Sequence, residues 1–219
     1  MWVVTAFVLV LFATLTWEPL KDEVRHRSGF HRVESHADAI RFAARESGQD
    51  ANLLAAIMLA ESGGRVDAVS PVGALGLYQL MLPTAVERAR VLGLAEPTRD
   101  DLLSNPLLNA RLAANYLKWL SRRYGGDLEA ILVAYNAGPG RLKQWMEPDG
   151  SFAAWSERRR KEGGSAVLAY AARVLAWRDE FAERGVIAPP VDFPPLPAEP
   201  AVIVEHSLYG PPEPPARGD

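Results

Sequence analysis

Glu61 is the residue whose position most suggests acid–base chemistry. It ends the apolar run of residues 51–60 and is followed by Ser62-Gly63-Gly64. In a helix, Glu61 would share the core-facing stripe with Leu54 and Ile57, which precede it by seven and four positions. Burial and the negative end of the helix dipole both disfavour an ionised carboxylate, so we expect its pKa to exceed that of a surface glutamate. A general acid needs that property. The alternative is that Glu61 ends an amphipathic helix and extends into solvent.

Composition excludes several other classes of function. The chain has 219 residues, nearly half of them apolar, and a formal net charge of -3. This charge argues against a nucleic-acid partner, because phosphates are normally neutralised by a basic face. The local basic run Arg158–Lys161 is interpreted as a solvated helix or loop face, with contact to an anionic polymer or lipid as the alternative. Without cysteine, thiol nucleophiles, thiolate sites and a lipoprotein anchor are excluded, and the four histidines lack metal-site spacing. We therefore expect no metal site.

The two ends of the chain differ from its centre. Residues 1–17 are almost entirely apolar but short for a bilayer core of about 30 Å, which favours a signal peptide or an uncleaved signal anchor over a buried helix. Residues 18–34 are charged and predict an irregular linker. Residues 186–219 repeatedly contain proline and predict an extended tail, either passive or bound to an envelope protein.

Residues 35–185 carry helical patterns without alternating strands, which predicts one all-α domain. Ser35 with Asp38 has the spacing of a capping box. Residues 63–83 contain several Gly and a Ser-Pro pair, so they predict a structured turn region. The predicted helices begin near Ser35, after Asp50, at Thr84, at Pro106, after Asp127 and near Ser165.

Four short segments in a fixed order are more specific than any single residue. They are Ala60-Glu61-Ser62-Gly63, Ser70-Pro71-Val72-Gly73-Ala74, Gly76-Leu77-Tyr78-Gln79-Leu80-Met81 and Ala134-Tyr135-Asn136-Ala137-Gly138-Pro139-Gly140. Together they resemble the catalytic domain of the soluble lytic transglycosylase family over roughly residues 35–184. The resemblance implies a lysozyme-like fold and an exported enzyme that cleaves the glycan strands of bacterial peptidoglycan in the periplasm or cell envelope.

The resemblance also implies roles for individual residues. Glu61 would be the single catalytic acid and base. The residues implied to line the glycan site are Ser70, Gln79, Met81, Tyr135, Asn136 and Tyr170. The hydroxyl of Tyr170 would approach the catalytic carboxyl. Structural interpretations remain open: both tyrosines lie on apolar stripes and could be core residues, Ser70 could begin a turn, and Asn136 could end a helix.

Three positions depart from the family pattern. Tyr78 stands where methionine is common, which changes the cleft wall. Leu82-Pro83 replaces a proline directly after Met81, which shifts the next helix start. The segment before Tyr170 lacks the Ile-Pro-Phe and Glu-Thr elements often found upstream of this tyrosine.

A single carboxylate implies a particular mechanism. Most glycosidases use two carboxylates, about 5–5.5 Å or about 6.5–9.5 Å apart, and the other acid near the motifs, Asp67, has no feature of a nucleophile. The family's substrate-assisted route is therefore expected, in which Glu61 protonates the glycosidic oxygen and the C6 hydroxyl of the same muramic acid closes a 1,6-anhydro ring. This mechanism, implied by the family resemblance, requires no metal or organic cofactor. A muramidase that uses water, a non-catalytic peptidoglycan-binding scaffold and a membrane-active protein are the alternatives.

Overall fold

A computed structural model describes residues 28–187 of the chain. The predicted signal or anchor segment, residues 18–27 of the linker and residues 188–219 of the tail lie outside this range. Within it the domain is built from helices and contains no strand, which confirms the predicted all-α class. No helix between residues 28 and 187 combines the length and the apolar character needed to cross a bilayer.

The described residues form ten helices in chain order. They are α1 (28–34), α2 (Ala37–Ser47), α3 (Ala51–Ser62), α4 (Leu82–Val91), α5 (Arg99–Ser104), α6 (Pro106–Arg123), α7 (Leu128–Ala137), α8 (Pro139–Met146), α9 (Phe152–Lys161) and α10 (Ala166–Arg184). Helix α3 packs against both α2 and α10, and α10 also packs against α7. The core therefore surrounds α3, the helix whose last turn carries Glu61.

Three helix starts follow their predicted caps. The side chain of Asp50 accepts a hydrogen bond from the backbone N of Asn52, and Asp127 does the same for Ala130. Asn105 caps α6, with proline at its first position. Each carboxylate or amide oxygen satisfies a backbone donor that the first helical turn leaves without a partner.

The predicted capping box at Ser35 is wrong. Helix α2 begins at Ala37, and its N-cap residue His36 makes no side-chain capping bond. The Ser35 hydroxyl instead donates to the carbonyl oxygen of Arg32, at 2.7 Å. Ser35 therefore follows the end of α1 instead of starting α2.

The last part of the predicted linker is not irregular. Residues 28–34 form α1, in which Phe30 and Val33 are fully buried. The ring of Phe30 stacks on Phe181 of α10 with centroids 4.4 Å apart, and Arg184 pairs with Glu34 at 2.6 Å. Two apolar side chains one turn apart attach this helix to the core, although the charged residues beside them hid the pattern in the sequence.

Helices α5, α8 and α9 were not predicted. Helix α9 carries the basic run, and all four of its cations are paired with carboxylates. The pairs are Arg158 with Asp149 and Glu162, Arg159 with Glu162, Arg160 with Glu129, and Lys161 with Glu157. These pairs agree with the interpretation of the run as a solvated helix face.

Candidate active site

Glu61 lies in the last turn of α3 and is half-buried. The helix ends at once because Gly63 adopts a left-handed conformation (φ 61°) and its backbone N bonds the carbonyl oxygen of Leu59. This conformation favours glycine. The abrupt end leaves the Glu61 side chain at the rim of the core, where α10 passes.

Tyr170 of α10 contacts the Glu61 carboxyl directly. Its hydroxyl donates a hydrogen bond of 2.6 Å to Oε1 of Glu61. Burial raises the pKa of Tyr170 well above its ordinary value, and the charge of Glu61 and this hydrogen bond raise it further. The phenol therefore stays protonated and acts as a donor. Tyr170 is at once a core residue and a partner of Glu61, so the two interpretations of the sequence are compatible.

Tyr135 of α7 is a second tyrosine of the candidate site. Its hydroxyl donates to the carbonyl oxygen of Tyr78 at 3.0 Å. Burial is the main cause of its raised pKa, and the charge of Glu61 is the next. Tyr135 is therefore close enough to Glu61 to sense its charge, and it connects the site to the turn that carries Tyr78.

That turn, residues 75–80, is fastened to the end of α3. Leu75 forms an antiparallel bridge with Leu80, which closes the turn on itself. The hydroxyl of Ser62, the residue after Glu61, donates to the carbonyl oxygen of Leu77 at 2.8 Å. The turn consequently has a fixed position beside the carboxyl.

Gln79 has an unusual backbone within this turn, since its φ of 48° lies in the left-handed region. Its amide nitrogen donates to the carbonyl oxygens of Gly76, at 2.8 Å, and Ala68, at 3.1 Å. These two bonds compensate for the strained conformation. Both amide hydrogens are thus directed at main-chain carbonyl oxygens, so the group that Gln79 can offer a ligand is its carboxamide oxygen.

The remaining predicted site residues are less directly tied to Glu61. The Ser70 hydroxyl accepts a hydrogen bond from the backbone N of Ala74 at 2.9 Å, as expected of a residue that begins a turn. Met81 is half-buried at the N-cap of α4. Asn136 is exposed near the end of α7, and the C-cap of that helix is Gly138. The contacts of the described residues thus join Glu61, Tyr170, Tyr135 and the turn most closely.

Asn109 on α6 was not among the residues that the sequence predicted for the site. Its side chain is fully buried and bonds the backbone of the same turn. The available signal was its spacing, because Asn109 precedes Leu112 and Tyr116 on the apolar stripe of α6 by three and seven positions. A polar residue on a core stripe generally needs a hydrogen-bond partner.

The described residues form no cluster of three or more His, Asp or Glu side chains that could hold a metal ion. The acid next along the chain from Glu61, Asp67, is exposed.

Comparison with protein families identifies one match that covers more than half of the chain. The transglycosylase SLT domain matches residues 38–157. Soluble lytic murein transglycosylases of Salmonella typhimurium and of Escherichia coli K12 are each 33% identical over 91 residues. That alignment covers 42% of this chain and 14% of each relative, so the chain corresponds to a small part of these proteins.

Solved structures show the same relationship. An inactive mutant of the lytic transglycosylase Slt from Pseudomonas aeruginosa superimposes with a TM-score of 0.60 and 31% identity, over 70% of this chain and 25% of that one. The 70 kDa soluble lytic transglycosylase of Escherichia coli gives a TM-score of 0.58 and 26% identity, over 67% and 24%. A complex of a 70-kDa soluble lytic transglycosylase with bulgecin A gives 0.59 and 25%, over 74% and 25%.

Proposed function

The chain belongs to the transglycosylase SLT domain family, and on that basis we propose that it is a lytic transglycosylase of the bacterial cell envelope. Its substrate would be the glycan strands of peptidoglycan. The bond cleaved would be the β-1,4 linkage from N-acetylmuramic acid to N-acetylglucosamine, with a 1,6-anhydromuramic acid end as product.

The observation that supports this proposal most is the hydrogen bond from Tyr170 to Oε1 of Glu61. It holds one carboxyl oxygen of a half-buried acid in a fixed direction. Since Oε1 accepts this bond, a neutral Glu61 would carry its proton on Oε2, from which it can protonate a glycosidic oxygen. After that transfer the phenol stabilises the carboxylate that remains.

The reaction then needs no second carboxylate. The bond between the anomeric carbon and the glycosidic oxygen breaks as Glu61 gives up its proton, and the carbonyl oxygen of the 2-acetamido group stabilises the oxocarbenium-like centre. The Glu61 carboxylate next removes the proton from the C6 hydroxyl of the same sugar. The C6 oxygen attacks the anomeric carbon and closes the anhydro ring, and Glu61 is neutral again.

The other site residues would bind and orient the sugar chain. The carboxamide oxygen of Gln79 and the amide of Asn136 can bond sugar substituents, while the side chain of Met81 offers an apolar contact. Ser70 would act through the turn that it begins, since its hydroxyl already accepts a backbone hydrogen bond.

Mass spectrometry of the products released from purified peptidoglycan sacculi tests the proposal. Anhydromuropeptides are expected from the wild-type chain and not from Glu61→Gln. Products with reducing ends would identify a muramidase, in which water replaces the C6 hydroxyl. Binding to sacculi without any released product would identify a scaffold protein.

A further inference from the structure

Asn109 is the most completely buried polar side chain of the described core, with no exposed surface. It lies in the first half of α6, and a buried carboxamide has two donor hydrogens and one acceptor oxygen to satisfy. All of its hydrogen bonds are directed at main-chain atoms. The Nδ2 atom donates to the carbonyl oxygens of Leu75, at 3.2 Å, and Leu102, at 3.1 Å, and Oδ1 accepts from the backbone N of Tyr78, at 3.0 Å.

These bonds attach the turn of residues 75–80 to α6. Two of them reach the turn, at Leu75 and at Tyr78, and the third reaches the end of α5. The turn is therefore fixed to α6 at its first residue and again at Tyr78, while α5 is held against the same amide.

Two residues of the candidate site, or next to it, also bond the same turn. Tyr135 donates to the carbonyl oxygen of Tyr78, and Ser62 donates to that of Leu77. The backbone N of Tyr78 bonds Asn109, and its carbonyl oxygen bonds Tyr135. A single residue thus connects the buried amide to the phenol that senses the charge of Glu61.

Gly76 shows how closely the turn rests on this amide. A Cβ atom at this position would lie 2.3 Å from the carbonyl oxygen of Leu102 and 2.5 Å from Nδ2 of Asn109. Both distances are far below contact, and the φ of 73° also favours glycine. No side chain fits between the turn and Asn109, so a change at Asn109 acts directly on the turn.

We propose that Asn109 is a positioning residue of the active site, which sets the location of the Tyr78 carbonyl and through it the Tyr135 hydroxyl relative to Glu61. The inference rests on the proposed function only for its kinetic readout. Burying an amide is costly unless its polar atoms are bonded. A side chain needed only to fill this space would therefore be apolar. Three bonds to main chain suit an element that must keep its geometry, since small displacements of catalytic groups reduce rates strongly.

The kinetic test uses Asn109→Ser and Asn109→Ala, with Asn105→Ala as the control. Asn105 caps the same helix through a bond to the backbone N of Leu108, so its loss destabilises α6 without touching the turn. At a temperature where circular dichroism shows all variants folded, we expect the Asn109 variants to lose about 10- to 100-fold in kcat with little change in KM. The control should keep the wild-type kcat. Equal kcat values for the Asn109 variants and the control would overturn the proposal.

A double-mutant cycle with Tyr135→Phe tests the route of the effect. If Asn109 acts through the Tyr78 carbonyl and the Tyr135 hydroxyl, removing that hydroxyl should make the second change, Asn109→Ser, cost much less than it does alone. Independent effects, in which the two fold-losses multiply, would overturn this route.

A measurement without substrate separates this inference from the proposed function. In protein labelled with 3-fluorotyrosine, the ¹⁹F resonance assigned to position 135 by Tyr135→Phe should shift in Asn109→Ser and stay unchanged in Asn105→Ala. An unchanged resonance in Asn109→Ser overturns the positioning role even if the enzyme is active. If the wild-type chain releases no product from sacculi, the proposed function fails. A shift of the resonance in Asn109→Ser would still support the positioning role.

Discussion

The Tyr170 hydroxyl lies 2.6 Å from Oε1 of Glu61, although the two residues are 109 positions apart in the sequence. This contact depends on the packing of α10 against α3, which places the first turns of α10 beside the last turn of α3. The family match ends at residue 157 and does not include Tyr170. The geometry of the folded chain is therefore the evidence that ties this tyrosine to the acid.

Replacing Glu61 with Gln should abolish turnover and leave the fold intact. The amide keeps the size of the side chain but cannot deliver or remove the proton, and general acid–base catalysis typically contributes about 10²- to 10⁴-fold. Product release from sacculi and thermal unfolding would be measured together. Asp67→Asn is the matched control, because Asp67 is exposed, and it should behave as wild type. Retained activity in Glu61→Gln would remove this residue from the mechanism.

Tyr170→Phe should lower kcat by about 10- to 100-fold. A hydrogen bond to a charged group is worth about 1.5–3 kcal/mol, and this one stabilises the carboxylate that forms when the proton leaves. Steady-state rates of product release measure the effect. Tyr124→Phe is the control, since its buried hydroxyl has no hydrogen-bond partner among the described residues. If both variants lost activity equally, the contact with Glu61 would not explain the result.

Tyr78→Phe should keep or raise the free energy of unfolding. The Tyr78 side chain is fully buried, and its hydroxyl makes no hydrogen bond within residues 28–187. Burying such a group costs about 1–3 kcal/mol, which phenylalanine avoids at nearly the same volume. Denaturant unfolding measures the change. Tyr135→Phe should lower the free energy of unfolding, because it removes the bond to the Tyr78 carbonyl. A large decrease of this free energy in Tyr78→Phe would contradict the prediction.

The stability of the domain should fall as the pH rises above about 10. Burial raises the pKa of Tyr78, Tyr116, Tyr135 and Tyr170 above the ordinary value of 10.0. In the unfolded chain these phenols lose their protons near that ordinary value, whereas in the folded domain they keep them. The folded state then binds more protons, so its advantage is complete below pH 10 and decreases above it. Denaturant titrations above pH 10 should show that the free energy of unfolding falls less steeply with pH in Tyr78→Phe than in the wild type. An identical fall in the two proteins would show that Tyr78 does not contribute to this pH dependence.

The helices that the sequence predicted well are those with strong local signals. Asp50, Asn105 and Asp127 cap their helices as predicted, because a cap is decided by residues two or three positions away. Helix α1 was missed because only Phe30 and Val33 are apolar in a charged segment, and their burial depends on Phe181, which is distant in sequence.

The candidate site was predictable to a similar degree. The motifs predicted Glu61 and the turn around Gln79 as parts of one site. No local pattern shows that the Gln79 amide bonds the carbonyl oxygens of Gly76 and Ala68, or that the Ser70 hydroxyl accepts from Ala74. Asn109 was missed because its partners are backbone atoms of a distant segment. Hydrogen bonds between side chain and distant main chain follow from tertiary packing, for which a single sequence gives no direct signal.

The stacking of Phe30 on Phe181 brings the first and last described helices together, and Arg41 also bonds the carbonyl oxygen of Val186. Neighbouring ends are the condition under which a domain tolerates circular permutation. A short peptide joining the start of α1 to the end of α10, with a new opening at the exposed pair Gly125-Gly126, would preserve every contact around the acid. The arrangement of the helices in the folded domain thus does not require their present order along the chain.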